Sequence, residues 1–213
     1  MRSHPLHRTP LLLAALLAAA GACSTKEKAA SDTAAPVTAA DTTHHDTTAG
    51  AMAPAPAAAP GGWTDGAILA YAAAASRAEV AEGKLAATKA KNAGVKSLAR
   101  QMESEHEAML KDGDSFAKSH NITPDTTKDD VRDLTKSGQD QLKDLTDKAA
   151  GADWDKKYLD NQIDDHKAVL GKLQDAAKAT TNADLQALLT KASGKVQEHL
   201  TKAQALKEKY PAG

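Results

Sequence analysis

The chain has 213 residues, with 27 basic and 28 acidic side chains, eight His, one Cys, 41% hydrophobic residues, 3% aromatics and a formal net charge of −1. The balanced charge argues against a nucleic-acid binder, which carries a clear basic excess, and one Cys excludes an internal disulfide framework or a Cys-based zinc site. So few aromatics beside abundant Ala, Leu, Lys and Asp disfavour a β-sandwich or barrel and leave one all-α domain behind non-globular leading segments.

Residues 1–22 read as a signal peptide. Arg2 and Arg8 form a positive start, and Leu11 to Ala20 is an apolar run about half as long as a membrane-spanning helix requires. Ala20-Gly21-Ala22 before Cys23 fits either ordinary cleavage after a small-x-small site or a bacterial lipobox, in which Cys23 becomes the acylated first residue. Cys23 is the sole cysteine and stands where a lipid would be attached, which favours lipidation and a membrane partner. Ser24 resembles the second residue of outer-membrane lipoproteins, so the expected location is the outer membrane, facing the periplasm. Cleavage would remove Arg2 and Arg8 and leave 25 basic against 28 acidic groups, a net charge of −3.

Residues 23–62 complete the leading segments as the lipidated Cys and an Ala/Thr/Pro-rich linker. Thr25 to Gly62 lacks Leu, Ile, Phe and Tyr. It has too little apolar surface to offset chain entropy, so a disordered tether is expected. His44-His45 within it reads as solvated polar residues.

From residue 63 to 210 apolar residues recur at spacings of three and four, the helical period. The first helix is predicted from Thr64 to Lys91, the second from Ala93 to Ser119, ending before Pro124. The third is shorter, starting with a capping-box-like Thr127 and Asp130 and ended by Gly151. The fourth runs from near Asp153 to about Thr180, the fifth from near Asn182 to Tyr210-Pro211. Very short connections at Asn92 and at Thr181-Asn182 make the first and second helices antiparallel neighbours, and likewise the fourth and fifth. A third helix between these hairpins lets the second and fourth run parallel. The expectation is a ferritin-like four-helix bundle with a shorter crossover helix; a plain up-down bundle is the alternative.

Each long helix carries an apolar stripe interrupted by polar residues. The stripes hold Glu79 and Glu82 in the first helix, His106 in the second, His166 in the fourth and His199 in the fifth. Glu79 and the three His each lie within a turn of their helix midpoint, so in an antiparallel bundle they meet in one central layer. Buried Glu and imidazole groups need partners. Glu79, His106, His166 and His199 are therefore candidate metal ligands, in a donor set that suits Zn, Cu, Fe or Mn. Glu105, Asp165 and Glu198 each precede one of these His and stand about 100° round the helix, where they could orient a neighbour's imidazole; Glu82 and Glu103 join them as outer-shell candidates. The competing reading is a metal-free polar layer that fixes helix register. Met102 and Met109 beside His106 read as core fillers, and His120 as a helix cap. Whether Glu79 or Glu82 faces the centre depends on a small helix rotation. Buried neutral imidazoles predict loss of stability as pH falls from about 7 to 5.

Set out this way, the domain resembles a bacterial exported family of ferritin-like helical bundles, the domain of unknown function four-one-four-two. The matching residues are Ala78-Glu79-Val80, Gly83-Lys84-Leu85-Ala86, Val95-Lys96-Ser97-Leu98-Ala99, Met102, Glu105-His106, Trp154-Asp155, Tyr158, His166 and Glu198-His199-Leu200. The resemblance implies the fold and an envelope location, with no established activity. Di-iron ferritin-like enzymes repeat Glu-x-x-His on two helices. Here Glu103-x-x-His106 has no second copy, since Ile163 and Val196 stand three before His166 and His199. No nucleophile–base pair or phosphate loop is present, and no catalytic residue is assigned. Three functions compete: a lipid-anchored, non-catalytic envelope bundle that binds a metal or a partner of unknown identity, a ferritin-like metalloenzyme acting on metal or oxygen species, and a purely structural or stress-related envelope protein.

Overall fold

The computed structural model describes residues 62–210. The expected signal peptide, Cys23 and the expected linker up to residue 61 lie outside the described residues. Five helices follow in order: α1 Asp65–Lys89, α2 Ala93–Ser119, α3 Asp129–Asp147, α4 Ala152–Ala179 and α5 Ala183–Lys207, with no strand among the described residues. None of these helices is long and apolar enough to cross a membrane.

The termini follow from local chemistry. Thr64 caps α1, its hydroxyl accepting from the Ala67 amide at 3.1 Å. Asn92 and Asn182 cap α2 and α5, each side-chain oxygen accepting from two amides of the first turn. Chain reversals of three residues therefore suffice between α1 and α2 and between α4 and α5. His120 closes α2, with Nδ1 3.1 Å from the Phe116 carbonyl.

Two predicted boundaries of α3 are corrected. Lys128, not Thr127, is its N-cap and makes no capping bond, because Thr127 donates through both its amide and its hydroxyl to Asp125. At the other end α3 stops at Lys148, while Gly151 instead opens α4. Trp154 from α4 draws α3 to this early stop: its indole N–H donates to the Leu145 carbonyl at 2.7 Å, and Lys89 donates to the same oxygen at 2.8 Å.

In the packing, α1 lies against α2, α2 against α5, α5 against α4 and α4 against α1, while α3 lies mainly on the outer side of α1. Contacts between helix ends fix the directions. Asp65 at the start of α1 meets Thr180 and Asn182 between α4 and α5, and Asn92 at the start of α2 meets Asp155 at the start of α4. Helices α2 and α4 therefore run parallel to each other and antiparallel to α1 and α5. The α1–α3 approach is close because Gly138 faces Ala78; a Cβ at Gly138 would lie 2.6 Å from the Ala78 methyl. Likewise Gly83 lets α1 approach the Ala99 carbonyl of α2.

Two apolar clusters form the interior. One gathers Ile68, Leu69, Leu170, Leu173, Leu185 and Leu189; the other gathers Leu98, Met102, Leu145, Trp154, Tyr158 and Leu159. Along α1, α2 and α4 the buried polar residues Glu79, Glu82, His106, Gln162 and His166 fall between them. The interior is thus two hydrophobic halves separated by a polar layer.

Candidate metal centre

Helical register brings the three imidazoles together. His106, His166 and His199 are 3%, 2% and 0% exposed. One nitrogen of each lies within 4.8 Å of the others, and the ring centroids are 5.2–5.7 Å apart. His166 Nε2 and His199 Nδ1 are 3.4 Å apart. That is close to the edge of a tetrahedron with metal–nitrogen bonds of about 2.0–2.1 Å, roughly 3.3 Å.

The other ring nitrogens face different partners. His199 Nε2 lies 2.9 Å from Glu105 Oε2. Burial raises the Glu105 carboxyl, but hydrogen bonds from His199 and Gln101 outweigh it and hold the group low. An ionised carboxylate only accepts, so Nε2 carries the proton and Nδ1 presents a lone pair to the cluster. His166 Nδ1 lies 3.5 Å from Glu79 Oε1. To offer Nε2 to an ion, His166 would hold its proton on Nδ1, facing Glu79. His106 Nδ1 lies 3.4 Å from Ser76 Oγ, and its Nε2 is buried without a hydrogen-bond partner. Of the three, only His199 makes the short carboxylate contact by which proteins orient histidine ligands, while His166 Nδ1 is buried without a hydrogen-bond partner.

Burial also sets the protonation. It is the largest cause that holds His106 well below the ordinary imidazole value and lowers His166 to about 3, the neighbouring imidazoles adding to both. His199 is lowered for the same first reason, partly opposed by Glu105. The imidazoles are thus neutral at pH 7, the form that binds metals. Burial likewise raises Glu79 well above the carboxylate range, helped by Glu82 and Asp165, and brings Glu82 to about 8. The layer is thus uncharged at pH 7 through protonated acids and neutral imidazoles.

The candidate residues separate into those the fold gathers and those it does not. Glu79 stands behind His166 rather than beside the three converging nitrogens. Glu79 and Glu82 are both buried, at 6% and 2% exposure, so no choice of rotation between them is needed; Gln162 donates to Glu82 at 3.1 Å. Glu105 reaches the histidine of the neighbouring helix as expected. Glu198 does not: it turns outward to Lys195 and Lys202, whose hydrogen bonds hold it at about 2. Asp165 accepts from Gln141 at 3.1 Å instead of from an imidazole. Glu103 sits at the α1–α2 contact beside Gly83. Met102 accepts the Tyr158 hydroxyl at 3.4 Å and fills core. Ser76 and Gln162 escaped the sequence reading, although Ser76 stands three before Glu79 and Gln162 four before His166, each a helical neighbour of a named residue.

The comparison with known families bears on the same residues. The family described as "Domain of unknown function (DUF4142)" matches residues 46–206, most of the chain, including every helix that contributes to the centre. The chain belongs to this family. No curated protein and no solved structure matches it. For this DUF4142 domain, therefore, the chemistry of the centre rests on its own geometry: three buried histidines that could hold a metal ion.

Proposed function

We propose that the chain is an exported, lipid-tethered envelope protein whose bundle holds one divalent transition-metal ion, Zn, Cu, Fe or Mn, on His106, His166 and His199. In this reading the five helices form a ferritin-like four-helix bundle with α3 as the crossover. Acylated Cys23 anchors it to the outer membrane. The observation that carries the metal assignment is the convergence of three buried imidazoles, one nitrogen of each within 4.8 Å of the others. A di-iron centre fits less well, because the second Glu-x-x-His is absent and Glu79 engages an imidazole.

Metal analysis of the purified protein tests the assignment. About one ion per chain is expected after incubation with zinc or copper, with His106→Ala and His166→Ala abolishing it. Protein that binds neither ion, with stability unchanged in chelator, would overturn the reading and leave a register-fixing polar layer. A catalytic variant of the proposal has one support: three protein ligands leave a fourth position for water or substrate. Turnover of peroxide or oxygen by the loaded protein would select it. The anchor has its own test. Cys23→Ser should move the protein from the detergent-extracted membrane fraction to the soluble envelope fraction; unchanged membrane association would overturn it.

A further inference from the structure

The three imidazoles of the centre are not held alike. His166 Nε2 and His199 Nδ1 already stand 3.4 Å apart, and each of these rings has a carboxyl group behind it, Glu79 at 3.5 Å and Glu105 at 2.9 Å. Among the described residues, the one hydrogen-bond contact of the His106 ring is Ser76 Oγ at 3.4 Å; its Nε2 has none. His106 also borders open space. A groove of about 130 Å³ between α1, α2 and α5 runs from Pro124 and Thr126 to Ser76 and His106, and neither His166 nor His199 lines it. An apolar cavity of about 150 Å³ holds benzene, so the groove has room for an imidazole to turn into.

We infer that His106 is the exchangeable ligand of the centre and that this groove is the path by which the ion enters and leaves, an inference that rests on the metal reading above. His166 and His199 form the standing pair. The His106 ring swings into the groove to admit an ion and returns to complete the coordination. The sides of the groove suit a charged traveller, since Asp112 and Asp114 stand there with Arg77, Lys191 and Lys195. Lys191 of α5 reaches Asp112 of α2 at 2.8 Å, and with both side chains well exposed this pair opens at little cost. The approach past Glu105 is less suited. Glu105 Oε2 is held by both His199 and Lys195, and behind it lies His199 Nε2, the nitrogen turned away from the other two rings.

Zinc uptake by the purified protein, followed by stopped flow, tests the path. Ala192→Leu fills the groove from α5 and removes no ligand. Crowding the space the ring needs should slow uptake and release together by about tenfold or more, with the affinity unchanged. Ala187→Leu, exposed on the same helix and outside the groove, should keep both wild-type rates. Lys191→Gln, a surface change that unties the α2–α5 pair, should speed uptake about two- to fivefold. A second readout needs no metal. Diethyl pyrocarbonate acylates neutral imidazoles that solvent reaches. In chelator-treated protein it should modify His106 ahead of His166 and His199, and Ala192→Leu should slow His106 alone. Zinc bound at full stoichiometry but at equal rates in wild type and Ala192→Leu would overturn the path and leave the metal reading intact. His166 or His199 acylated as fast as His106 would overturn the exchangeable ligand. Protein that binds no zinc at equilibrium would overturn the metal reading and the path together, and the order of acylation would still decide which ring turns.

Discussion

A neutral imidazole binds a cation through one nitrogen and is steered through the other. In this centre Glu105 makes the shortest and most polar of the steering contacts, 2.9 Å to His199 Nε2. Removing it should free the ring to rotate and lower the basicity of Nδ1. Glu105→Ala is therefore expected to weaken zinc affinity about 10- to 100-fold, read by competition with a chromophoric chelator, while Glu103→Ala and Glu198→Ala leave it near wild type. Equal losses in all three variants would mean that the acids act only as a diffuse negative field. The contrast explains what could be read in the chain. An acid one residue before a histidine is rotated by about 100°, and the sign of that rotation relative to a neighbouring helix decides whether it meets an imidazole or water. Glu105 turns toward α5. Glu198 turns outward, where Lys195 and Lys202, three and four residues away, capture it. Spacing makes the imidazoles legible, because all three lie on apolar stripes; the second layer depends on which helices are neighbours, and spacing alone does not give that.

Asp155 shows the same limit at the scale of the element. It is 1% exposed, and its carboxylate accepts from the amides of Lys91 at 2.9 Å and Asn92 at 2.7 Å and from the Tyr210 hydroxyl at 3.1 Å. One side chain of α4 thus ties the α1–α2 reversal and the end of the chain together. The Trp154-Asp155 pair marks the family resemblance, and both halves have structural work: Trp154 holds the end of α3, and Asp155 holds the start of α2. Asp155→Ala leaves three donors without their acceptor and should destabilise the domain by about 2–4 kcal/mol, measured by urea unfolding, with metal stoichiometry retained in the folded fraction. A loss below about 0.5 kcal/mol would show that water replaces the carboxylate. Approximate helix spans and the two tight reversals were legible beforehand from the apolar period, the very short connections and Pro124. The ends of α3 were not. They are set by Asp125, Lys89 and Trp154, and two of these belong to other helices.

For the whole molecule, the polar layer couples stability to pH, and the direction depends on two opposing sets of groups. In metal-free protein the imidazoles of His106, His166 and His199 are lowered, His166 to about 3. The unfolded chain protonates them near 6.5, so their contribution is full above that value and is lost as pH falls below it, for His166 toward about 3. Glu79, Glu82 and Asp165 act the other way. Burial raises each, Glu82 to about 8, so their contribution is full below the unfolded carboxylate value and is lost as pH rises above it, for Glu82 through about 8. Each group that is fully protonated in one state and fully ionised in the other gives a slope of about 1.4 kcal/mol per pH unit. Between about pH 4.5 and 6.5 the two sets oppose each other. Histidine alone would predict a loss from pH 7 to 5; the buried acids offset part of it. Stability should fall on the alkaline side from about pH 6.5 to 8, where Glu82 is ionised in the unfolded chain but still protonated in the fold. It should also fall below about pH 4.5, where imidazole charging adds to the loss of the Glu105 contact, whose carboxyl is held low in the fold. Glu82→Gln removes one opposing acid, so its profile should lose part of the alkaline limb and slope downward from pH 6.5 to 4.5. Urea unfolding in chelator across pH 4 to 8.5 reads both curves. A wild-type profile that drops steadily from pH 7 to 5, unchanged in slope by Glu82→Gln, would mean that the carboxyls are ionised throughout and that the layer holds its charge by another route.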